Sequence, residues 1–210
     1  MEYISSAVHY FQQGGFVMYI LALCSLFIIA NGIERWLYFS KADIGRKFAQ
    51  QFASSMANKE YEKATQSLAG KTEDLPVILQ KALTQHMESR EDLSSFLENQ
   101  TGVSISRFRT HLYSLNVVVT LAPLLGLLGT ISGMISSFSV FNVESGQATA
   151  ITGGVGEALI ATAMGLCVAI VALLVHSYFN QRVERILTDM EDCFSEVVSA
   201  WPSLAKGDMK

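Results

Sequence analysis

Three stretches of the sequence are strongly apolar and almost free of charged residues. They cover residues 16–33, 115–141 and 157–179. A membrane-spanning helix needs about 20 mostly apolar residues to cross roughly 30 Å of hydrocarbon. The pattern therefore predicts an all-α membrane protein with three transmembrane helices. Residues 34–114 separate the first two helices, and a short turn rich in Gly, Ser and Thr, residues 142–156, separates the last two.

The basic residues are distributed very unevenly. Eleven of the fifteen Lys and Arg residues lie in 34–114 and four in 180–210, whereas 1–15 and 142–156 contain none. Short loops rich in Lys and Arg remain on the cytosolic side of a membrane. The distribution predicts a short external N-terminus (1–15), a cytosolic helical domain (34–114) and a cytosolic C-terminal helix and tail (180–210).

The first apolar stretch differs from a secretory signal peptide. No basic residue precedes it, and no small-residue cleavage site follows it before Arg35. We expect it to remain in the chain as an uncleaved transmembrane helix.

The segments outside the membrane also have helical periodicity. Apolar positions at spacings of three and four predict a helix over residues 47–68. A turn over 70–74 follows, and Thr72 or Asp74 is a candidate N-cap for the next helix.

A very long helix is expected to follow that turn and to continue into the second span. Its pattern has no clear stop, and Gly102 is its weakest point. The third span is expected to extend in the same way until Trp201 and Pro202 end it.

Composition excludes several classes of function. Half of the residues are hydrophobic, 16% are charged and the net charge is −4, which gives no reason to expect nucleic-acid binding. The sequence has no phosphate-binding glycine loop, no catalytic constellation and no His or Cys spacing typical of a metal site. We therefore expect no enzyme activity, no cofactor and no metal. The three cysteines are too scattered for a disulfide framework; they are Cys24, Cys167 and Cys193.

Small residues form a stripe along each of the last two spans, at alternating spacings of four and three. Such stripes let helix backbones approach closely in lipid. They can serve plain helix–helix packing, or they can line an interior that holds another helix or water; two stripes on two spans favour an assembly. The stripes are Ala122, Gly126, Gly129, Gly133 and Ser136, and Ala158, Thr162, Gly165, Ala169, Ala172 and His176.

Two hydroxyls and one acid are the candidate polar groups of an ion pathway. Thr130 and Thr162 lie at similar predicted depth, although a hydroxyl in a span often only bonds the carbonyl four residues earlier. Glu157 is the only acid near the bilayer, and it could instead complement the dipole at the start of the third helix. Because no acid lies deeper, a partner must supply the carboxylate if the protein conducts protons.

Two sequence motifs resemble the signature helices of the MotA/TolQ/ExbB proton-channel family. They are APLLGLLGTISGM at 122–134 and EALIATAMGL at 157–166. Residues 14–21 and 33–36 resemble the first span of ExbB-like members, although Phe16 and Ile20 stand where prolines are common. Three spans place the chain with ExbB and TolQ rather than with MotA.

The resemblance implies a pentameric ring in the bacterial inner membrane around an ExbD/TolR-like single-span partner that carries a membrane Asp. It implies H⁺ rather than Na⁺ as the ion, and work delivered to the cell envelope, for example through a TonB- or TolA-like protein. Thr130 and Thr162 correspond to the threonines that face the partner Asp, and Glu157 to the acid at the outer end of the third span. The positions expected to pack against the partner helix are Gly126, Gly129, Gly133, Ala158, Gly165 and Ala169.

Two hypotheses from different classes follow. The first is a ring-forming channel subunit of a motor driven by the proton motive force. The second is a membrane scaffold that anchors an envelope complex without conducting ions.

Overall fold

A computed structural model describes residues 15–85, 87–139 and 148–204. Every regular element in these ranges is an α-helix. The six helices, in chain order, are α1 (Gly15–Ala42), α2 (Arg46–Ala57), α3 (Tyr61–Leu68), α4 (Asp74–Thr84), α5 (Arg90–Ser139) and α6 (Ala148–Leu204).

Helices α1, α5 and α6 are each long and apolar enough to cross a membrane, as the sequence pattern predicts. Helix α5 has 50 residues and α6 has 57. At 1.5 Å per residue they are about 75 Å and 86 Å long, more than twice the thickness of the hydrocarbon core. Both therefore extend well beyond a membrane.

The chain divides into two compact units. The first consists of Met1–Glu34 and His111–Tyr178 and holds the predicted spans. Its interior includes Leu21 and Ile28 of α1, whereas large apolar side chains such as Phe16 and Leu174 are exposed. An exposed apolar surface on a spanning helix suits contact with lipid or with another membrane helix, because neither environment penalises it.

The second unit consists of Arg35–Thr110 and Phe179–Lys210. Phe39 is fully buried at its centre, stacked on Phe179 and tilted against Phe108, with ring centroids 5.7 and 5.9 Å away. Arg182 of α6 donates hydrogen bonds to the Phe39 carbonyl and to the Asp43 carboxylate, both at 3.2 Å. A cation at the last carbonyls of a helix complements its dipole. Arg182 thus fixes the end of α1 on α6.

The helix predicted over 47–68 is wrong in one respect, because it is interrupted between Ala57 and Tyr61. Lys59 has a left-handed backbone with φ of 64°. Its N–H donates to the Met56 carbonyl at 3.0 Å, and the N–H of Glu60 donates to the Ser55 carbonyl at 2.8 Å. This pair of bonds is the Schellman arrangement, which satisfies the last carbonyls of α2. It was missed because glycine, the usual residue at this position, is absent.

The N-terminal caps differ from the expectation as well. Helix α4 begins at Asp74, Glu73 occupies the N-cap position, and no side chain caps the helix. The long helix begins only at Arg90, because Ser89 starts it: the Ser89 hydroxyl accepts a hydrogen bond from the Asp92 N–H at 3.0 Å. Ser89 and Asp92 form a capping-box spacing. From there α5 continues through Gly102 without a break.

Helix α6 begins and ends outside its expected limits. It starts at Ala148, so residues 148–156 of the predicted turn are helical; residues 142–147 lie outside the described part of the chain. Gly154 helps to explain the early start, because a side chain there would collide with Ser137 of α5, and the glycine lets the helices pack. At the other end, α6 continues through Pro202 to Leu204. Pro202 therefore lies in the last turn of α6 and does not end the helix where the sequence predicted.

Candidate ion-pathway site

The small residues of the two stripes bring α5 and α6 into near backbone contact. A Cβ atom built on Gly165 would lie 2.6 Å from the Ala122 carbonyl oxygen and 2.9 Å from the Gly126 Cα. A Cβ atom on Gly126 would lie 3.1 Å from the Ala161 carbonyl oxygen. A side chain at position 165 would force the backbones apart, and one at position 126 would have little room, so the α5–α6 seam depends on glycine at these positions.

The seam continues toward the start of α6 and includes α1. A Cβ atom on Gly129 would lie 2.6 Å from the Ala161 Cβ and 3.5 Å from the Val17 Cβ. A Cβ atom on Gly133 would lie 3.2 Å from the Ala158 Cβ. The three helices of the first unit therefore meet at the small faces, and helix–helix packing within one chain accounts for these residues.

Thr130 and Thr162 meet across this seam, and their hydroxyl groups are hydrogen-bonded to each other. The Thr130 Oγ1 lies 3.2 Å from the Gly126 carbonyl oxygen and 3.3 Å from that of Ala158. The Thr162 Oγ1 lies 3.2 and 3.4 Å from the same two oxygens. Each hydroxyl thus reaches the carbonyl four residues earlier in its own helix and the matching carbonyl of the other helix.

This hydroxyl pair has more hydrogen-bond acceptors than donors. Two O–H groups are shared among two hydroxyl oxygens and two carbonyl oxygens, and each oxygen has two lone pairs. Both threonines are partly buried, so the group is neither fully enclosed nor freely hydrated. Because lone pairs on these oxygens remain free, the arrangement suits a group that donates hydrogen bonds, such as a protonated carboxyl or a hydrated proton.

The other predicted site residues are placed as follows. Ala158 and Ala169 are buried, at 1% and 8% exposure. Glu157 lies within α6, and its side chain is outside the described part of the structure. No group of His, Cys, Asp and Glu residues in the described ranges could hold a metal ion.

Ser137 is a further member of the seam that the small-residue spacing did not include. It is buried and donates a hydrogen bond to the Gly133 carbonyl at 2.7 Å, facing Gly154 of α6. Its position four residues after Gly133 was the available signal, since that spacing places both on one helix face.

Comparison with known proteins decides the family. The sequence profile described as the MotA/TolQ/ExbB proton channel family matches residues 71–192, more than half of the chain. The chain belongs to this family. The matched segment contains the whole α5–α6 seam, including Thr130 and Thr162.

Several relatives carry ExbB names. A protein of Synechocystis sp. named as the ExbB-like 1 biopolymer transport protein is 34% identical over 171 residues, which is 79% of this chain and 67% of the relative. The biopolymer transport protein ExbB of Neisseria gonorrhoeae is 33% identical over 112 residues, 52% of this chain and 50% of the relative. The exbB1 protein of Vibrio cholerae is 24% identical over 196 residues, covering 89% and 84%. The chain is thus an ExbB/TolQ-like member of a family of channels.

Proposed function

We propose that this ExbB/TolQ-like protein is the ring-forming, proton-conducting subunit of a motor in the bacterial inner membrane. The motor uses the proton motive force to do work in the cell envelope. The observation that carries the proposal is the acceptor-rich hydroxyl pair of Thr130 and Thr162, partly buried in a seam of otherwise small residues. Its place inside the segment that matches a proton channel family supports this use.

The titrating carboxylate must come from a partner chain. Between Arg109 and Arg182 the sequence contains only two acids, Glu144 and Glu157, and both are in or beside the predicted external turn. An ExbD/TolR-like single-span protein with an Asp inside its span would complete the pathway. Its protonated carboxyl would donate to the hydroxyl pair, and the two helix carbonyls would accept the remaining hydrogen bonds.

A ring of several copies is the arrangement that lets such a partner be enclosed. The small faces of α5 and α6 are already occupied within one chain, so one copy cannot also surround a partner helix with them. Large apolar residues remain exposed on the other faces of both helices, for example Leu128, Ile131, Ile170 and Leu174. Copies that met through these faces would close a ring, and the resemblance implies a pentamer.

The charge distribution supports the orientation of the ring. All fifteen basic residues lie in 34–114 and 180–210. We therefore place the N-terminus outside the cytosol, and the second unit together with the C-terminus inside it. Relatives are named for biopolymer transport, so the work that is driven is proposed to be a transport process of the envelope. The resemblance to ExbB-like proteins implies TonB-dependent transport as an example.

Replacing each threonine by valine tests the proposal, because valine keeps the shape and removes the hydroxyl. The complex is purified from its native membrane, reconstituted in liposomes, and its proton uptake is followed with an enclosed pH-sensitive dye. Thr130→Val and Thr162→Val are expected to keep the size of the assembly and to lose proton uptake. Thr120→Val is the matched control, since its hydroxyl, on the same helix, is exposed and bonds the carbonyls of Asn116 and Val117 in its own helix.

Full proton uptake by both variants would contradict a role for the hydroxyl pair. The protein would then fit the alternative, a scaffold that anchors an envelope complex without conducting ions. Loss of uptake in the Thr120→Val control would likewise show that the assay responds to any lost hydroxyl.

A further inference from the structure

A cavity of about 350 Å³ lies in the second unit where the start of α2 meets α6. Its size is within the range of ligand pockets, roughly 300–1,000 Å³, but such pockets are mostly lined by apolar side chains. Here every lining side chain is charged or polar, so the cavity suits a small and strongly polar ligand. The lining residues are Arg46 of α2 and Gln181, Glu184, Arg185, Thr188 and Asp189 of α6.

Two arginines, one from each helix, supply most of the hydrogen-bond donors of this cavity. The Arg46 side chain is 71% exposed, and its Nε lies 3.8 Å from the Oδ1 of Asp189. Arg185 is exposed and donates from Nη2 to the Gln181 Oε1 at 3.4 Å. The ion pairs among the described residues do not include Arg185. Because a guanidinium group has five N–H donors, each arginine has several left for a ligand.

The two neutral side chains of the cavity contribute differently. The Gln181 Oε1 accepts from Arg185, which leaves the two N–H donors of its amide for a ligand. The Thr188 hydroxyl donates to the Glu184 carbonyl at 3.0 Å, so it adds no further donor. The donors of the cavity are therefore the two guanidinium groups and one amide, which together favour an anion.

The two acids that line the cavity already have cationic partners. The Glu184 Oε1 lies 2.8 Å from the Nη2 of Arg109, and Asp189 forms the ion pair with Arg46. The arginines that line the cavity or pair with its acids are thus three, against two carboxylates. One positive charge is left over, and it belongs to Arg185, which only the amide of Gln181 contacts in the described residues.

The cavity begins close to the inner end of the predicted third span. Gln181 is two residues and Arg185 six residues beyond Phe179, the last residue of that span, which is about 3 Å and 9 Å along α6. The polar headgroups add about 5–8 Å on each side of the hydrocarbon core. Tyr178 is exposed just before this point, as is typical of aromatic residues at a membrane interface. The first part of the cavity therefore lies at the depth of the lipid headgroups.

We propose that this cavity binds a phosphate group between Arg46 and Arg185. Planar guanidinium groups match the oxygen atoms of phosphate, and basic residues on the cytosolic side of a span attract anionic lipids. The phosphate belongs either to the headgroup of an anionic phospholipid or to free inorganic phosphate. By contacting one arginine of each helix, it fastens the start of α2 to α6. The site rests on the proposed membrane orientation and not on proton conduction, so a channel and a scaffold would both have it.

Lipid binding to the full chain can be measured by native mass spectrometry. The protein is freed of lipid in detergent and titrated with phosphatidylglycerol, and we expect one tightly bound lipid per chain. Arg46→Gln and Arg185→Gln should each lower the affinity about tenfold, because each removes hydrogen bonds from a charged group. Arg90→Gln is the matched control, since this exposed arginine starts α5 roughly 38 Å before the predicted second span at Leu115. Circular dichroism verifies that the variants remain helical.

A second series separates the two sources of the phosphate. Inorganic phosphate at millimolar concentration is added to the lipid-free chain and, in parallel, to the chain loaded with phosphatidylglycerol. Binding of the lipid that phosphate does not displace would identify the headgroup as the ligand. Binding of inorganic phosphate, with displacement of any bound lipid, would identify free phosphate. Both results support the site, provided that the two arginine variants weaken the binding.

Three results would overturn the site. The first is a wild-type chain that binds neither phosphatidylglycerol nor inorganic phosphate. The second is unchanged affinity in both Arg46→Gln and Arg185→Gln, which would place the ligand elsewhere. The third is an equal loss in Arg90→Gln, which would show that the ligand responds to the total charge of the chain and not to this cavity.

Discussion

At the scale of single residues, the most demanding positions are those where two backbones nearly touch. Gly165 lies so close to the Ala122 carbonyl that a methyl group has no place, and backbone atoms cannot rotate away as a flexible side chain can. Overpacking of this kind costs about 1–3 kcal/mol.

Gly165→Ala should therefore lower the thermal unfolding midpoint of the detergent-solubilised chain. Gly102→Ala is the matched control, because a Cβ atom at Gly102 would meet nothing within 4 Å. Alanine at an open helix position is favoured over glycine by about 0.5–1 kcal/mol, so this variant should be as stable as the wild type or more stable. Equal losses in the two variants would contradict the close approach at Gly165.

Sequence reasoning could find the residues of the seam but not all of their contacts. The spacing of Gly126, Gly129 and Gly133 indicated a close helix contact, and Thr130 and Thr162 were predicted to lie at similar depth. The sequence did not show that their hydroxyls meet. The contact of Arg182 with the Asp43 carboxylate could not be found in this way, because the two residues lie 139 positions apart in the sequence.

At the scale of helices, the end of α2 and the start of α5 are set by capping hydrogen bonds that are easily overlooked in the sequence. The long helix α5 begins where Ser89 accepts the Asp92 N–H, and this serine–aspartate spacing was visible in the sequence. The break between α2 and α3 at Lys59 was not visible in the sequence, because no sequence signal marks a lysine that adopts a left-handed backbone conformation. Helix α6 starts early because packing of Gly154 against α5 outweighs the poor helix propensity of glycine.

Removal of the Ser89 cap should destabilise the second unit. Ser89→Ala is expected to cost about 1 kcal/mol, the usual value of an N-cap side chain. Chemical denaturation of the solubilised chain would measure the loss. Ser95→Ala, an exposed position inside α5, should cost little because alanine is a better helix former than serine. If Ser89→Ala were no more harmful than Ser95→Ala, the start of α5 would not depend on this cap.

At the scale of the whole molecule, the pattern of apolar stretches along the chain predicts three spanning helices, because a membrane requires long apolar segments whatever the details of their packing. The number of copies in the ring and the identity of the partner cannot be predicted in the same way. They depend on surfaces that one chain leaves exposed, such as the apolar faces of α5 and α6. The pattern of a single sequence does not give the number of neighbouring helices that cover these faces.

The most direct test of the central claim is the identity of the proteins that accompany this chain in its native membrane. The tagged protein would be isolated in mild detergent, and its companions identified by mass spectrometry. We predict a homo-oligomer together with a small single-span protein that carries an Asp inside its span. A homo-oligomer without such a partner would contradict proton conduction, because the spans of this chain contain no carboxylate at mid-membrane depth to carry the proton.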